Sequence, residues 1–151
     1  MKRSGLRLFL CSAYLTALLA FIWGNSLLPG QQSGELSGFV GDLIKKLLPF
    51  LHLDGMHLLR KAAHFTEFAA LGLGFAWLFG MLCKNRLPAL GLPLVCGASV
   101  AAIDETIQIF SPDRGPSITD VGIDTAGVIT GILFLKLIYS CAHSYFRKIK
   151  K

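Results

Sequence analysis

Charge is scarce in this chain. Only 16% of its 151 residues are charged, against ~25% in soluble domains. With 53% hydrophobic residues and a mean hydropathy of +0.58, this excludes an ordinary soluble domain and points to a membrane protein. Acid is the scarcer sign: nine Asp and Glu against fifteen Lys and Arg give a formal charge of +6. That excess does not indicate nucleic acid, because the basic residues gather at the chain ends and in one short loop, with no stacking aromatics between them. The four cysteines, Cys11, Cys83, Cys96 and Cys141, lack CxxC spacing and fall in or beside apolar segments, so they read as small apolar residues and not as metal ligands or disulfides. There is no P-loop, no GxSxG, no nucleophilic cysteine with a base and no PSGH-type histidine motif, which leaves enzymatic chemistry without a recognised signature. No small-x-small cleavage site follows the first apolar run, so that run stays as a membrane span.

What is present is four long apolar runs, at about 6–28, 61–83, 88–110 and 118–139, each near the ~20 residues needed to cross a bilayer. Together they predict one all-α unit over 1–151, an integral membrane four-helix bundle. The 29–60 loop between the first two spans carries Phe39, Val40, Leu43, Ile44, Leu47 and Leu48 at helical spacing opposite Asp42, Lys45 and Lys46. This predicts an additional amphipathic helix over about 36–51, lying in the membrane interface or packed on the bundle. Nine Lys and Arg fall on the side shared by the termini and the 84–86 loop: Lys2, Arg3, Arg7, Lys84, Arg86, Arg147, Lys148, Lys150 and Lys151. By the positive-inside rule that side is cytoplasmic, in a bacterial inner membrane, with the 29–60 loop outside.

The anomaly is the run from Asp104 to Asp124, which drives four Asp, one Glu and one Arg into the ends of two apolar spans. Ionisable groups within a membrane are costly and mark paired networks or functional sites. Three stripes converge there. Arg60, His64, Glu67 and Gly74 share one helical face, as do Gly97, Ala101, Asp104 and Gln108, with Glu105 beside them, and Asp120, Asp124, Gly127 and Gly131. Each polar stripe continues inward as small residues, and Gly127-xxx-Gly131 is a close-packing spacing. Glu67 and Glu105 both lie roughly 8 Å in from the outer helix ends at ~1.5 Å per residue, which predicts a shared polar chamber open outward and closed inward. Only Lys136 continues the charge towards the other side, which disfavours a through-going ion path.

Counting Glu67, Asp104, Glu105, Asp113, Asp120 and Asp124 against Arg60, Lys61 and Arg114 leaves three uncompensated negative charges. A protonated His64, carboxylates that share protons, or a bound cation would each answer this. The charged groups could simply dock helices through ion pairs. They could instead bind a polar headgroup, with Arg60 and Arg114 clamping a phosphate and His64, Glu67, Asp104 and Glu105 as candidate acid, base or catalytic groups. Or His64 and Glu67, with Asp104, Asp120 or Asp124, could ligate a divalent ion, although a lone HxxE without a second histidine assigns no metal or other cofactor. Ser117 could donate to a ligand or cap the fourth helix with Asp120 at its third position.

These residues also form two longer motifs. RKAAHFTEFAALGLG, from Arg60 to Gly74, and DETIQIFSPDRGPSITDVGIDTAGVITG, from Asp104 to Gly131, resemble the VanZ-like membrane proteins, with RK-x-x-H-x-x-E-aromatic-x-x-LG and DE-x-x-Q-x-F-x-x-x-R-x-x-x-x-x-D-x-x-x-N-x-x-G patterns. The resemblance covers roughly Trp23 to Gly131, and Asn25, Ser26, Pro29 and Ser33 match the segment after the first span. Three positions depart from the pattern: Phe68 stands for Tyr, Asp113 for Gly and Asp124 for Asn. The resemblance implies a small multi-span protein, from a family named for a member linked to resistance to teicoplanin, a lipid-bearing glycopeptide. It implies site positions at Arg60, Lys61, His64, Glu67, Asp104, Glu105, Gln108, Arg114 and Asp120, with Asp124 at the altered position.

The leading expectation is recognition, extending to modification, of an envelope lipid or amphiphilic antibiotic headgroup. Its ligand set is Arg60, Lys61, His64, Glu67, Asp104, Glu105, Gln108, Arg114, Ser117, Asp120 and Asp124. A structural or partner-binding protein and a metal-dependent membrane hydrolase are the alternatives, and no protein partner is indicated.

Overall fold

The computed structural model describes residues 2–32, 34–35, 38, 42, 46, 56–85 and 88–149. Among the described residues four long helices follow one another: α1 Lys2–Leu27, α2 Met56–Leu82, α3 Pro88–Gln108 and α4 Ile118–Ile149. No strand occurs among the described residues. Each helix contains a segment long and apolar enough to cross a membrane, of 20 to 28 residues, or about 30–42 Å at 1.5 Å per residue. The expected interfacial helix over about 36–51 lies almost wholly outside the described residues.

The helix ends differ from expectation for local reasons. α2 begins at Met56, five residues early, so Arg60 and Lys61 sit within it and not at its mouth. α4 continues to Ile149, because Ser140 to Arg147 are polar enough to end an apolar run yet contain no helix breaker. α3 stops at Gln108, and Ile109 and Phe110 tighten into i+3 bonds to the carbonyls of Thr106 and Ile107. The turn beyond holds Asp113 at φ 59°, the left-handed region that glycine favours and Asp tolerates. This explains why the VanZ-like pattern has Gly there.

The core is a central apolar layer of Cys11, Leu15 and Ile22 from α1, Phe68 and Leu71 from α2, Val100 and Ala101 from α3, and Val128 and Ile132 from α4. Large apolar side chains also cover the outside, among them Phe9, Phe21, Val95, Leu133 and Phe134, as expected where the solvent is hydrocarbon. Because lipid gives no hydrophobic drive between helices, close backbone packing must supply the cohesion. The Gly127/Gly131 face does this as the spacing predicts. A Cβ on Gly131 would strike the Ala69 carbonyl oxygen of α2, and one on Gly127 would lie 2.5 Å from that of Phe65. The α2–α4 pair is thereby held in a register that puts His64 opposite Asp124.

Candidate functional site

The C-terminal ends of α1 and α3 and the N-terminal ends of α2 and α4 meet at one end of the bundle, and every charged position of the three stripes gathers there. Asp104 lies at the centre, fully buried. Ser26 Oγ of α1 donates to its Oδ1 at 2.6 Å, and Gln108 Nε2, one turn along α3, donates to its Oδ2 at 2.9 Å. Arg60 Nη2 of α2 donates in turn to Gln108 Oε1 at 3.0 Å. A single chain of hydrogen bonds thus links α1, α2 and α3. Ser111 Oγ adds a bond to the Ser26 carbonyl at 2.6 Å, satisfying one of the acceptors that a helix C-terminus leaves open.

The link to α4 is different in kind. Glu105 Oε2 accepts the Ser117 backbone N–H at 2.8 Å, taking up an orphan donor at the start of α4. Ser117 does occupy the cap position, since its carbonyl accepts from Val121 N at 3.2 Å. Its hydroxyl, however, meets Thr119 Oγ1 and not the third amide, so the expected reciprocal capping box is replaced by a carboxylate from the neighbouring helix. At the rim Lys61 Nζ lies 3.4 Å from Asp120 Oδ1, with Lys61 45% exposed. An exposed pair of this kind contributes ~0–1 kcal/mol.

A second set of side chains is buried but unbonded. His64 is 7% exposed, and neither ring nitrogen has a hydrogen-bond partner. Its Nδ1 lies 3.9 Å from Asp104 Oδ2 and 3.9 Å from Asp124 Oδ1. Asp124 is fully buried, with both carboxylate oxygens unbonded, and Glu67 Oε2 is also buried without a partner. Arg114 is 8% exposed, and its Nε, Nη1 and Nη2 all lack acceptors. Burial lowers the proton affinity of Arg114 from its ordinary value and the nearby Arg60 adds to this, against the opposing pull of Asp104, Glu105 and Glu67. Buried polar groups are nearly always bonded, so these four side chains are the candidates for contact with a ligand.

The space beside His64 and Asp124 is small. A cavity of about 10 Å³ is lined by Arg60, Lys61, His64, Glu105, Asp120, Ile123 and Asp124, room for about one water or ion. The expected outward chamber is therefore a tight hole and not a headgroup-sized vestibule. Below it Phe68, Leu71 and Val128, all fully buried, close the inner side. A larger groove of about 240 Å³ runs beside it between α3 and α4, walled by Thr106, Ile109, Pro116, Ile118 and Val121, with Glu105 and Ser117 also in its lining. The two spaces share Glu105.

Two sequence expectations change. Asp113 is exposed on the turn and leaves the cluster, so five carboxylates face three cations and the formal excess is two negative charges. Ser26 and Ser111 belong to the site but were not among the expected residues. The only signal for Ser26 was its place in the segment that resembles the VanZ-like pattern.

The VanZ/LLP1 family model matches residues 11–139. No curated protein and no solved structure matches the chain. The matched region covers most of α1 and all of α2 and α3, and it carries the entire charged cluster, so the chain is a membrane protein of the VanZ/LLP1 family.

Proposed function

We propose that the protein recognises the anionic headgroup of an envelope amphiphile, presented from the outer leaflet of a bacterial inner membrane. The observation that carries this reading is Arg114, a guanidinium nine-tenths buried with no acceptor on any of its three nitrogens. A planar donor fork of this kind matches the oxygens of a phosphate or carboxylate, and an anion bound there would offset its desolvation. The groove of about 240 Å³ beside the cluster, lined by Glu105 and Ser117 together with Ile109, Ile118 and Val121, supplies an apolar wall for an acyl chain. A lipid-bearing glycopeptide such as teicoplanin presents the same pairing of polar head and acyl chain, which supports a contribution to glycopeptide resistance through the same site. The excess of Lys and Arg at the termini and the 84–86 loop supports a cytoplasmic side for those segments and an outward-facing site.

A structural reading is favoured for part of the cluster by the Arg60–Gln108–Asp104–Ser26 chain, whose members are bonded to one another across three helices. The cluster thus divides: Ser26, Asp104, Gln108 and Arg60 dock α1, α2 and α3, Glu105 docks α4 through the Ser117 N–H, and Arg114 receives the headgroup. Thermal unfolding of the detergent-solubilised protein with phosphatidic acid, phosphatidylglycerol or teicoplanin tests this. Wild type should be stabilised by at least one of these probes, and Arg114→Ala should fold yet lose the response. A shift in Arg114→Ala equal to that of wild type sinks the reading.

A further inference from the structure

The unbonded groups that Arg114 does not explain lie on the other side of the hole. His64, Asp104 and Asp124 each offer a donor atom within 4.8 Å of the others, and all three are at least nine-tenths buried. Both nitrogens of His64 and both oxygens of Asp124 lack hydrogen-bond partners, and His64 Nδ1 faces the two carboxylates only at 3.9 Å. Any occupant must be small, because the adjoining cavity of about 10 Å³ admits one water-sized species. A positive occupant answers the charge balance, because five carboxylates face three cations, Arg60, Lys61 and Arg114, and Arg60 is bonded to the neutral Gln108.

We propose that His64, Asp104 and Asp124 form a three-ligand centre for a divalent transition-metal ion of the Zn²⁺ or Mn²⁺ class. The centre of a triangle with sides of 3.9 to 4.8 Å lies roughly 2.3–2.8 Å from its corners, so shifts below about 1 Å reach the ~2.0–2.2 Å of zinc–nitrogen and zinc–oxygen bonds. One imidazole with two carboxylates suits these ions better than Ca²⁺ or Mg²⁺, which take oxygen alone. A +2 charge also cancels the formal excess of two negative charges.

The surroundings have the features of a metal site's outer layer. Asp104 is oriented by donors on both oxygens, Ser26 and Gln108, and Gln108 is itself fixed by Arg60, as second-layer bonds orient metal-binding carboxylates. Glu67, one turn beyond His64 on the same helix, brings a further buried, unbonded oxygen. The register set by Gly127 and Gly131 holds α4 against α2, and so keeps Asp124 opposite His64.

This proposal stands apart from the headgroup reading, because metal content is measured without lipid. Full-length protein in detergent is stripped on a chelating resin, reloaded with Zn²⁺ or Mn²⁺, desalted and analysed by inductively coupled plasma mass spectrometry. Wild type should hold about one ion per chain, as a three-ligand mononuclear site requires. The same is expected of Asp113→Asn, which removes an exposed acid outside the cluster. His64→Gln and Asp124→Asn should lose the ion, and Gln108→Ala should weaken it by about 10–100-fold, the usual effect of removing an outer-layer partner. Wild type holding no more ion than Asp124→Asn, or His64→Gln binding as well as wild type, overturns the proposal. Should the variants not fold, Co²⁺ added to wild type decides: protein-bound visible bands support the centre, and the spectrum of the hydrated ion refutes it.

Discussion

Removing the Ser26 hydroxyl probes the docking half of the cluster without touching Arg114. Ser26 and Asp104 are both fully buried, and their bond is 2.6 Å long, within the ~2.5–2.7 Å range of hydrogen bonds to a carboxylate. Bonds to charged groups are worth ~1.5–3 kcal/mol in soluble proteins. Interhelical bonds in membranes average ~0.6 and reach ~1.7 kcal/mol, since the unfolded helices also find partners in lipid. Ser26→Ala leaves Asp104 bonded to Gln108 through Oδ2 only, with Oδ1 desolvated and bare, so the cost should lie where the two ranges meet, at about 1.5 kcal/mol. The bond from the Ser111 hydroxyl to the Ser26 carbonyl survives the change, which keeps the loss specific to the Ser26 side chain. Equilibrium unfolding in mixed micelles, run as a double-mutant cycle with Asp104→Ala, should give a coupling of about 1 kcal/mol. A coupling below about 0.3 kcal/mol, within the error of additivity, would refute the assignment of Ser26 as the docking partner of Asp104.

Other outcomes follow from the same geometry. Gly131→Val should cost about 3 kcal/mol or more, because its side chain would collide with the Ala69 backbone, which cannot give way. Gly122→Ala on the same helix meets nothing within 4 Å and should stabilise by about 0.5–1 kcal/mol; unfolding midpoints of the two check both. Lys61→Ala should change stability by less than about 1 kcal/mol, since Lys61 itself is nearly half in solvent. Arg114→Lys keeps the charge but loses the planar fork, so it should fold like wild type and bind a phosphate-bearing probe about tenfold more weakly in a titration.

Much of this was legible in the sequence because membrane spans are long and periodic. Four apolar runs gave the bundle, and spacings of four and seven residues put His64, Asp104 and Asp124 on inward faces before any fold was known. The Gly127/Gly131 face was legible for the same reason. Ser26 was not, since its partner is 78 residues away and a polar residue in the last turn of a span usually just marks its end. Asp113 was placed in the cluster by proximity in sequence, but the left-handed turn points it to solvent. The division into bonded and unbonded groups was also out of reach. Helical periodicity fixes the face on which a carboxylate stands, but not whether a serine from another helix arrives to meet it.

The most direct test of the central claim is native mass spectrometry of gently purified full-length protein, comparing wild type with Arg114→Ala and with Ser26→Ala as the docking control. The account predicts a retained anionic amphiphile on wild type and on the folded fraction of Ser26→Ala, and its loss from Arg114→Ala. An unchanged amphiphile adduct on Arg114→Ala would contradict it.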